Sequence, residues 1–237
     1  MQYMGGKSRI SKQIAEVLNS AINKDTPFVS LFCGSCAIES KVQADVKILN
    51  DKHPYLIAMW QALQNGWTPP DVVTKEEYYR VKANMDENPA LAGFVGFGCS
   101  FGGKWWGGYP RSFKNDGVTP RDMPNEIIRN IKKQAPKLKG IFFVCGDFWK
   151  LGVGHMVVYC DPPYRDTTKY ATSDFDYDKF YAWCKEMAKT NIVLISEYWM
   201  PEDGFECIWE GKLKCTLDKA SRTDKTEKLY RCVPCKQ

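Results

Sequence analysis

The run Met156-Val157-Val158-Tyr159-Cys160-Asp161-Pro162-Pro163-Tyr164 is an unbroken apolar strand followed by an abrupt stop. Continuous apolar residues suit a strand covered on both faces, as in a parallel sheet between layers of helices. The two prolines end it, since neither has an N–H for a ladder bond and each restricts the residue before it. Units of the same kind lie on either side. Phe28-Val29-Ser30-Leu31-Phe32 ends at Cys33-Gly34-Ser35, Val46 to Leu49 at Asn50-Asp51, and Ile141 to Val144 at Gly146-Asp147; Ile192 to Ser196 is a further strand. Between them the apolar spacing is helical: Ile10, Ile14, Val17, Leu18 and Ala21 over 9–22, a helix over 37–43, Leu56 to Leu63 behind His53-Pro54, and a helix over 176–189. From about 205 three antiparallel strands are expected, Phe205 to Trp209, Lys212 to Leu217 and Lys228 to Pro234. The alternation predicts an α/β fold with a mostly parallel sheet, antiparallel C-terminal strands and ligands beyond the strands' carboxyl ends.

The chain has 237 residues, 44% hydrophobic and 26% charged, enough for one packed domain carrying an insertion. No segment approaches the about 18 apolar residues of a membrane span. The opening MQYMGGKSRI lacks the apolar stretch of a secretory signal, so a cytoplasmic location is expected. The net charge of +5 is compatible with a polyanionic partner. Residues 100–114 carry Lys104, Arg111 and Lys114 with no acid, and 129–139 carry Arg129, Lys132, Lys133, Lys137 and Lys139 with no acid. The second run fits a solvated helix face equally well. Cys33 and Cys36 form one CxxC and Cys232 and Cys235 another, about 200 residues apart. With Cys145, Cys160 and Cys207 in strand-like runs, the cysteines are expected to be reduced, buried apolar residues, and no metal is expected. Residues 65–125 hold nine of the 18 Gly and six of the 13 Pro, with helical spacing only around 74–84 and a loop or short hairpin expected over 96–120. This predicts one domain of 1–64 plus 126–237, interrupted by an insertion of 65–125.

Four motifs carry chemistry. At the end of the apolar strand, Asp161 brings an acceptor, the carbonyls before the prolines can face a ligand, and Tyr164 brings a ring. A planar base with an exocyclic amine suits them, the amine donating to Asp161 and the Pro162 carbonyl while Tyr164 stacks. A strand-terminating turn with a surface tyrosine would use the same residues. Phe32-Cys33-Gly34-Ser35-Cys36 is a glycine turn that lets a cofactor approach the backbone, and Asp51, 17 residues beyond Gly34, suits ribose hydroxyls. Tyr3-Met4-Gly5-Gly6-Lys7-Ser8 is not a phosphate-binding P-loop, because the leading glycine would fall on Met1 and no strand precedes it. Its glycines can still offer N–H groups to a carboxylate, with Lys7 adding charge. Asp147-Phe148 ends another strand, where the acid can accept from an adenine amine and the ring can pack on the base.

Together these residues resemble the Dam-type, D12 class, family of DNA adenine-N6 methyltransferases, in the right order over most of the chain. Gly5-Gly6-Lys7 is similar to its N-terminal cofactor motif, Phe32-Cys33-Gly34-Ser35 to its glycine loop, Asn50-Asp51 to its ribose acid, Asp147-Phe148 to its adenine-contacting turn and Asp161-Pro162-Pro163-Tyr164 to its catalytic motif. Ser196-Glu197-Tyr198 and Thr223 to Leu229 are similar to short phage-type and bacterial members. The chain departs from the family at Ser30 and Leu31, where an acid and a proline are usual, and at Cys36, where a second glycine is usual. The resemblance implies a Rossmann-like methyltransferase fold and S-adenosylmethionine as cofactor, held by Tyr3, Gly5, Gly6, Lys7, Phe32, Cys33, Gly34, Ser35, Asp51, Asp147, Phe148 and Asp161. It implies transfer to N6 of an adenine flipped out of double-stranded DNA, with Asp161, Pro162, Pro163 and Tyr164 catalytic. The insertion then reads the target, and Lys104, Trp105, Trp106, Tyr109 and Arg111 contact DNA; a hydrophobic loop packed on the core is the plainer reading of those rings. Transfer to cytosine N4 or RNA adenine N6, and a catalytically silent DNA-binding protein on the same scaffold, are the rival expectations.

Overall fold

The computed structural model describes residues 1, 3–110, 123–165, 175–213 and 225–234. Its strands are β1 (Phe28–Ser30), β2 (Lys47–Asp51), β3 (Phe142–Cys145), β4 (Val157–Cys160), β5 (Ile192–Glu197), β6 (Phe205–Leu213) and β7 (Lys225–Cys232). They form a seven-stranded sheet in the order β3-β2-β1-β4-β5-β7-β6. The first five are parallel, and β7 runs antiparallel to both β5 and β6. This is the mostly parallel, Rossmann-like α/β arrangement expected from the sequence. The strand order reverses between β1 and β4, and a crevice opens at such a switch point. The glycine loop after β1 and the Asp-Pro-Pro-Tyr segment after β4 flank it.

The helices are α1 (Ser11–Ala21), α2 (Pro54–Gln64), α3 (Lys75–Ala83), α4 (Pro89–Gly93), α5 (Met123–Gln134) and α6 (Tyr177–Met187). The period of two along each strand sorts the core onto both sheet faces. Phe28, Tyr159, Leu194 and Leu229 pack with Ile14 and Leu18 of α1, Leu56 and Trp60 of α2 and Ile131 of α5. Val29, Val158, Cys160, Val193, Ile195 and Tyr230 pack with Phe180 and Cys184 of α6 on the other face. No helix among the described residues is long and apolar enough to cross a membrane.

Four local expectations change. The helix over 37–43 is a short 3-10 turn, Glu39–Lys41. The strands expected at 205–209 and 212–217 are one strand as far as Leu213, with a bulge between Cys207 and Trp209; 214–217 lie outside the described residues. Cys145 and Cys207 are exposed, because β3 and β6 are the two edge strands of the sheet. The loop expected from 96 is helical at its start: a π-helical turn, Phe94–Gly98, continues α4, and a 3-10 turn spans Phe101–Gly103.

Those glycines serve close packing rather than loop punctuation. A Cβ on Gly93 would lie 2.0 Å from the Tyr55 carbonyl oxygen of α2, and one on Gly96 would lie 2.3 Å from the Trp105 ring. Val73, Tyr78, Phe94 and Phe97 therefore share the core of α1 and α2. Gly93→Ala is expected to destabilise the protein by roughly 3 kcal/mol or more, because backbone must move on both sides of the contact. A urea midpoint equal to the wild type's would contradict this packing.

Candidate active site

The glycine loop is held from several directions. The Gly34 N–H donates to Asp51 Oδ2 (3.0 Å), Trp60 Nε1 donates to the Gly34 carbonyl (3.0 Å), and Cys33 N donates to the Asn50 carbonyl (2.9 Å). Gln134 Nε2 at the end of α5 donates to the carbonyls of Ser35 (2.6 Å) and Cys36 (2.9 Å). Gly34 sits at φ +45°, and Cys36, where the resembling family uses a glycine, is a non-glycine residue at φ +52°. The turn therefore keeps its left-handed backbone at Cys36 by being packed and bonded on every side.

The N-terminal motif lies against this loop. Gly5 is at φ +79°, and a Cβ on Gly6 would stand 2.9 Å from the Tyr3 carbonyl oxygen. The Tyr3 ring covers Gly34, where an added Cβ would be 3.0 Å from the ring. Lys7, 8% exposed, reaches the end of β4. Its Nζ lies 2.6 Å from Asp161 Oδ1, 3.7 Å from Glu227 Oε1 and 4.3 Å from the centre of the Tyr164 ring. The Tyr164 hydroxyl donates to Glu227 Oε1. Three motifs far apart in sequence are thus joined through one ammonium, and Lys7 is committed to Asp161 and Glu227.

With Lys7 on the ring and Tyr198 against it edge-on at 4.7 Å, Tyr164 has at most one face for stacking. Pro162 is buried, and the Pro163 carbonyl accepts from the Tyr177 hydroxyl (2.8 Å). Asp51 accepts from Gly34 N through one carboxylate oxygen and from His53 N (2.9 Å) through the other, so any hydroxyl it binds uses second lone pairs. Asp147 pairs with Lys52 (3.1 Å) and Lys150 (3.9 Å). Phe148 is buried against Phe32 and Phe180.

Residues called DNA-contacting divide three ways. Lys104 is exposed. Trp105 is half-buried, stacked on Tyr55 (5.4 Å between centroids, 21°) and packed on His53 and Phe97. Trp106 donates to the Met85 sulfur (3.0 Å), and the Tyr109 hydroxyl donates to the Val73 carbonyl (3.0 Å). The three rings are used largely inward. Arg111 lies outside the described residues. Phe101, at the start of the same run of rings and cations, is 65% exposed beside Lys104.

Sequence reading assigned no contact to Glu39, Glu197 or Glu227. Ser30, on the same face as Phe28, donates its hydroxyl to Glu39 Oε1 (2.8 Å), both buried. Tyr159, paired in register with Ser30, shares a hydrogen bond with Ser196 (2.8 Å). Burial pushes Glu39 up to about 7 and Glu197 to about 8, and it raises Asp161 and Glu227, with Lys7 opposing in the last two. Burial also lowers His53 to about 4. Each raised acid stabilises the fold most below its unfolded pKa and loses that contribution as pH rises through its folded value. Glu39→Gln keeps an acceptor for Ser30 and removes the charge. The variant is expected to gain on the order of 2 kcal/mol over wild type at pH 8, and little at pH 4, in urea titrations. An unchanged difference across that window would show that Glu39 does not titrate within it.

No group of three or more His, Cys, Asp or Glu placed to hold a metal occurs among the described residues. The sheet aligns with solved methyltransferases at low identity. A candidate RNA methyltransferase of Pyrococcus horikoshii is 11% identical at TM-score 0.44, over 94% of this chain and 83% of that one. The 23S rRNA methyltransferase ErmE is 9% identical at TM-score 0.42, over 99% and 72%. Magnesium protoporphyrin IX methyltransferase of Synechocystis PCC 6803 is 9% identical at TM-score 0.39, over 95% and 79%. None of these substrates carries over to this chain. No curated protein sequence matches it. Residues 3–91, which hold the Gly5-Gly6-Lys7 motif, the glycine loop and Asp51, match the family model of the D12 class N6 adenine-specific DNA methyltransferases.

Proposed function

We propose that this chain transfers a methyl group from S-adenosylmethionine to N6 of an adenine extruded from double-stranded DNA. The observation that carries the reading is the placement of Asp161-Pro162-Pro163-Tyr164 at the switch point, tied through Lys7 to the N-terminal segment and facing the glycine loop. The donor set suits the cofactor. Asp161 and Glu227 are two acids on one buried lysine, an environment that favours a further cation. Asn50 Oδ1, buried beside the glycine loop, has no hydrogen-bond partner among the described residues. S-adenosylmethionine, when bound, supplies an electrophilic methyl group on a cationic sulfur. Asp51 would hold its ribose, and the backbone of Gly5, Gly6 and the 32–35 loop would lie along the rest.

The remaining work belongs to the chain. Asp161 and the Pro162 carbonyl accept the two N–H groups of the amine, which directs the N6 lone pair away from both. Desolvation makes the Asp161 carboxylate a stronger acceptor for the proton that N6 sheds on becoming a secondary amine. Tyr164 lies beside the base with its hydroxyl held by Glu227. The insertion meets the duplex through Lys104 and Phe101, with Trp105 bracing that loop from within. Incubation with tritium-labelled S-adenosylmethionine and unmethylated duplex DNA is expected to label the DNA. Labelling of RNA alone would overturn the choice of substrate, and absence of cofactor binding would favour the silent DNA-binding scaffold.

A further inference from the structure

Glu227 lies on β7, inside the Thr223 to Leu229 run but far in sequence from Lys7 and Asp161, and is 1% exposed. Two residues before Leu229, it faces the α1 side of the sheet, the side of Tyr159 and Ser30. A carboxylate there costs several kcal/mol unless it is paired. Lys7 does not need it as a counter-ion, because Asp161 already fills that part at 2.6 Å. Glu227 nevertheless reaches Lys7 at 3.7 Å and accepts the Tyr164 hydroxyl, closing a ring of Lys7, Asp161, Tyr164 and Glu227.

We propose that Glu227 is a positioning residue for the transfer: it shares the Lys7 ammonium with Asp161, so that Asp161 stays a competent acceptor, and it anchors the Tyr164 ring. One cation between two carboxylates leaves a net negative charge at the end of β4, where an amine must donate. Without the second carboxylate, Lys7 neutralises Asp161 outright and Tyr164 loses its tether. The groups facing this pair are Lys7 from the N-terminal segment, Tyr159 and Tyr164 from β4 and its loop, Glu39 from the 3-10 turn and Glu197 from β5. The role in catalysis rests on the methyl-transfer reading; the charge sharing does not.

The test is Glu227→Gln, which retains an acceptor for Tyr164 and removes the charge, read in the full-length chain by carboxyl 13C NMR titration and by kinetics. Asp161 is expected to titrate lower than in wild type by about half a pH unit or more, since it then holds Lys7 alone. The acid limb of kcat moves down with it, kcat falls about tenfold, and both KM values stay within about twofold. A merely structural glutamate would reduce the yield of folded protein and leave the Asp161 titration and the acid limb in place; that outcome overturns the proposal. Tyr164→Phe gives a second reading should Glu227→Gln not fold: Glu227 must then titrate higher, having lost the phenol, and an unmoved Glu227 overturns the anchoring. If the wild type transfers no methyl group, the functional reading falls, and the NMR titrations still decide the charge sharing.

Discussion

Asp161→Ala is expected to lower the rate of methyl transfer by about a thousandfold or more while leaving cofactor affinity within a few-fold. The asymmetry follows from the geometry. Asp161 is the carboxylate at the end of β4 whose environment strengthens it as an acceptor, and Lys7 is its one ion-pair partner among the described residues. The glycine loop and Asp51 are held by Trp60, Gln134 and backbone bonds that do not pass through Asp161. Removing it therefore takes away the acceptor and leaves the loop standing. Lys7 retains Glu227 at 3.7 Å, so the ammonium is not stranded. Single-turnover rates with a cofactor-binding titration separate the two effects, and a parallel fall in both would mean that Asp161 shapes the whole pocket.

Lys7→Met should be the most destabilising substitution in the site. It leaves Glu227 buried and Asp161 half-buried without their cation, and breaking a buried pair in this way costs about 3–5 kcal/mol. The sign of the pH dependence is fixed. Both acids already have raised pKa values, with Lys7 pulling each down; without it they rise further. Stability is then kept at low pH, where both are protonated in either state, and lost as pH rises through the new folded values. Urea titrations should show a small deficit at pH 4 and a large one at pH 8. Equal deficits at both would assign the loss to packing of the lysine stem.

The parts of this molecule that sequence makes legible are those governed by local rules. Met156 to Tyr164 reads as a buried strand and its stop because apolar continuity and paired prolines are local facts, and the glycine turns at Gly5 and Gly34 announce their positive φ by residue type. Partnerships across the sheet are not local. Glu227 is one acid among many until β7 inserts beside β5 and turns it toward Lys7. Glu39 lies in a stretch with helical spacing, and only the 3-10 turn brings it onto Ser30. Gln134 and Trp60 carry no sign that they will pin the glycine loop. Gly96 misleads for a related reason: glycine marks a loop and a close helix contact with the same letter, and the contact depends on Trp105 from elsewhere. Cys145 and Cys207 read as buried because strand patterns do not say which strands form the edges.

The central claim is a methyl group placed on adenine N6 by the Asp161 site. Its most direct test is mass spectrometry of nucleosides from unmethylated duplex DNA incubated with S-adenosylmethionine and either wild-type protein or Asp161→Ala. N6-methyladenine with the wild type and none above background with the variant is the expected result. N4-methylcytosine, or N6-methyladenine formed equally by both proteins, would contradict it.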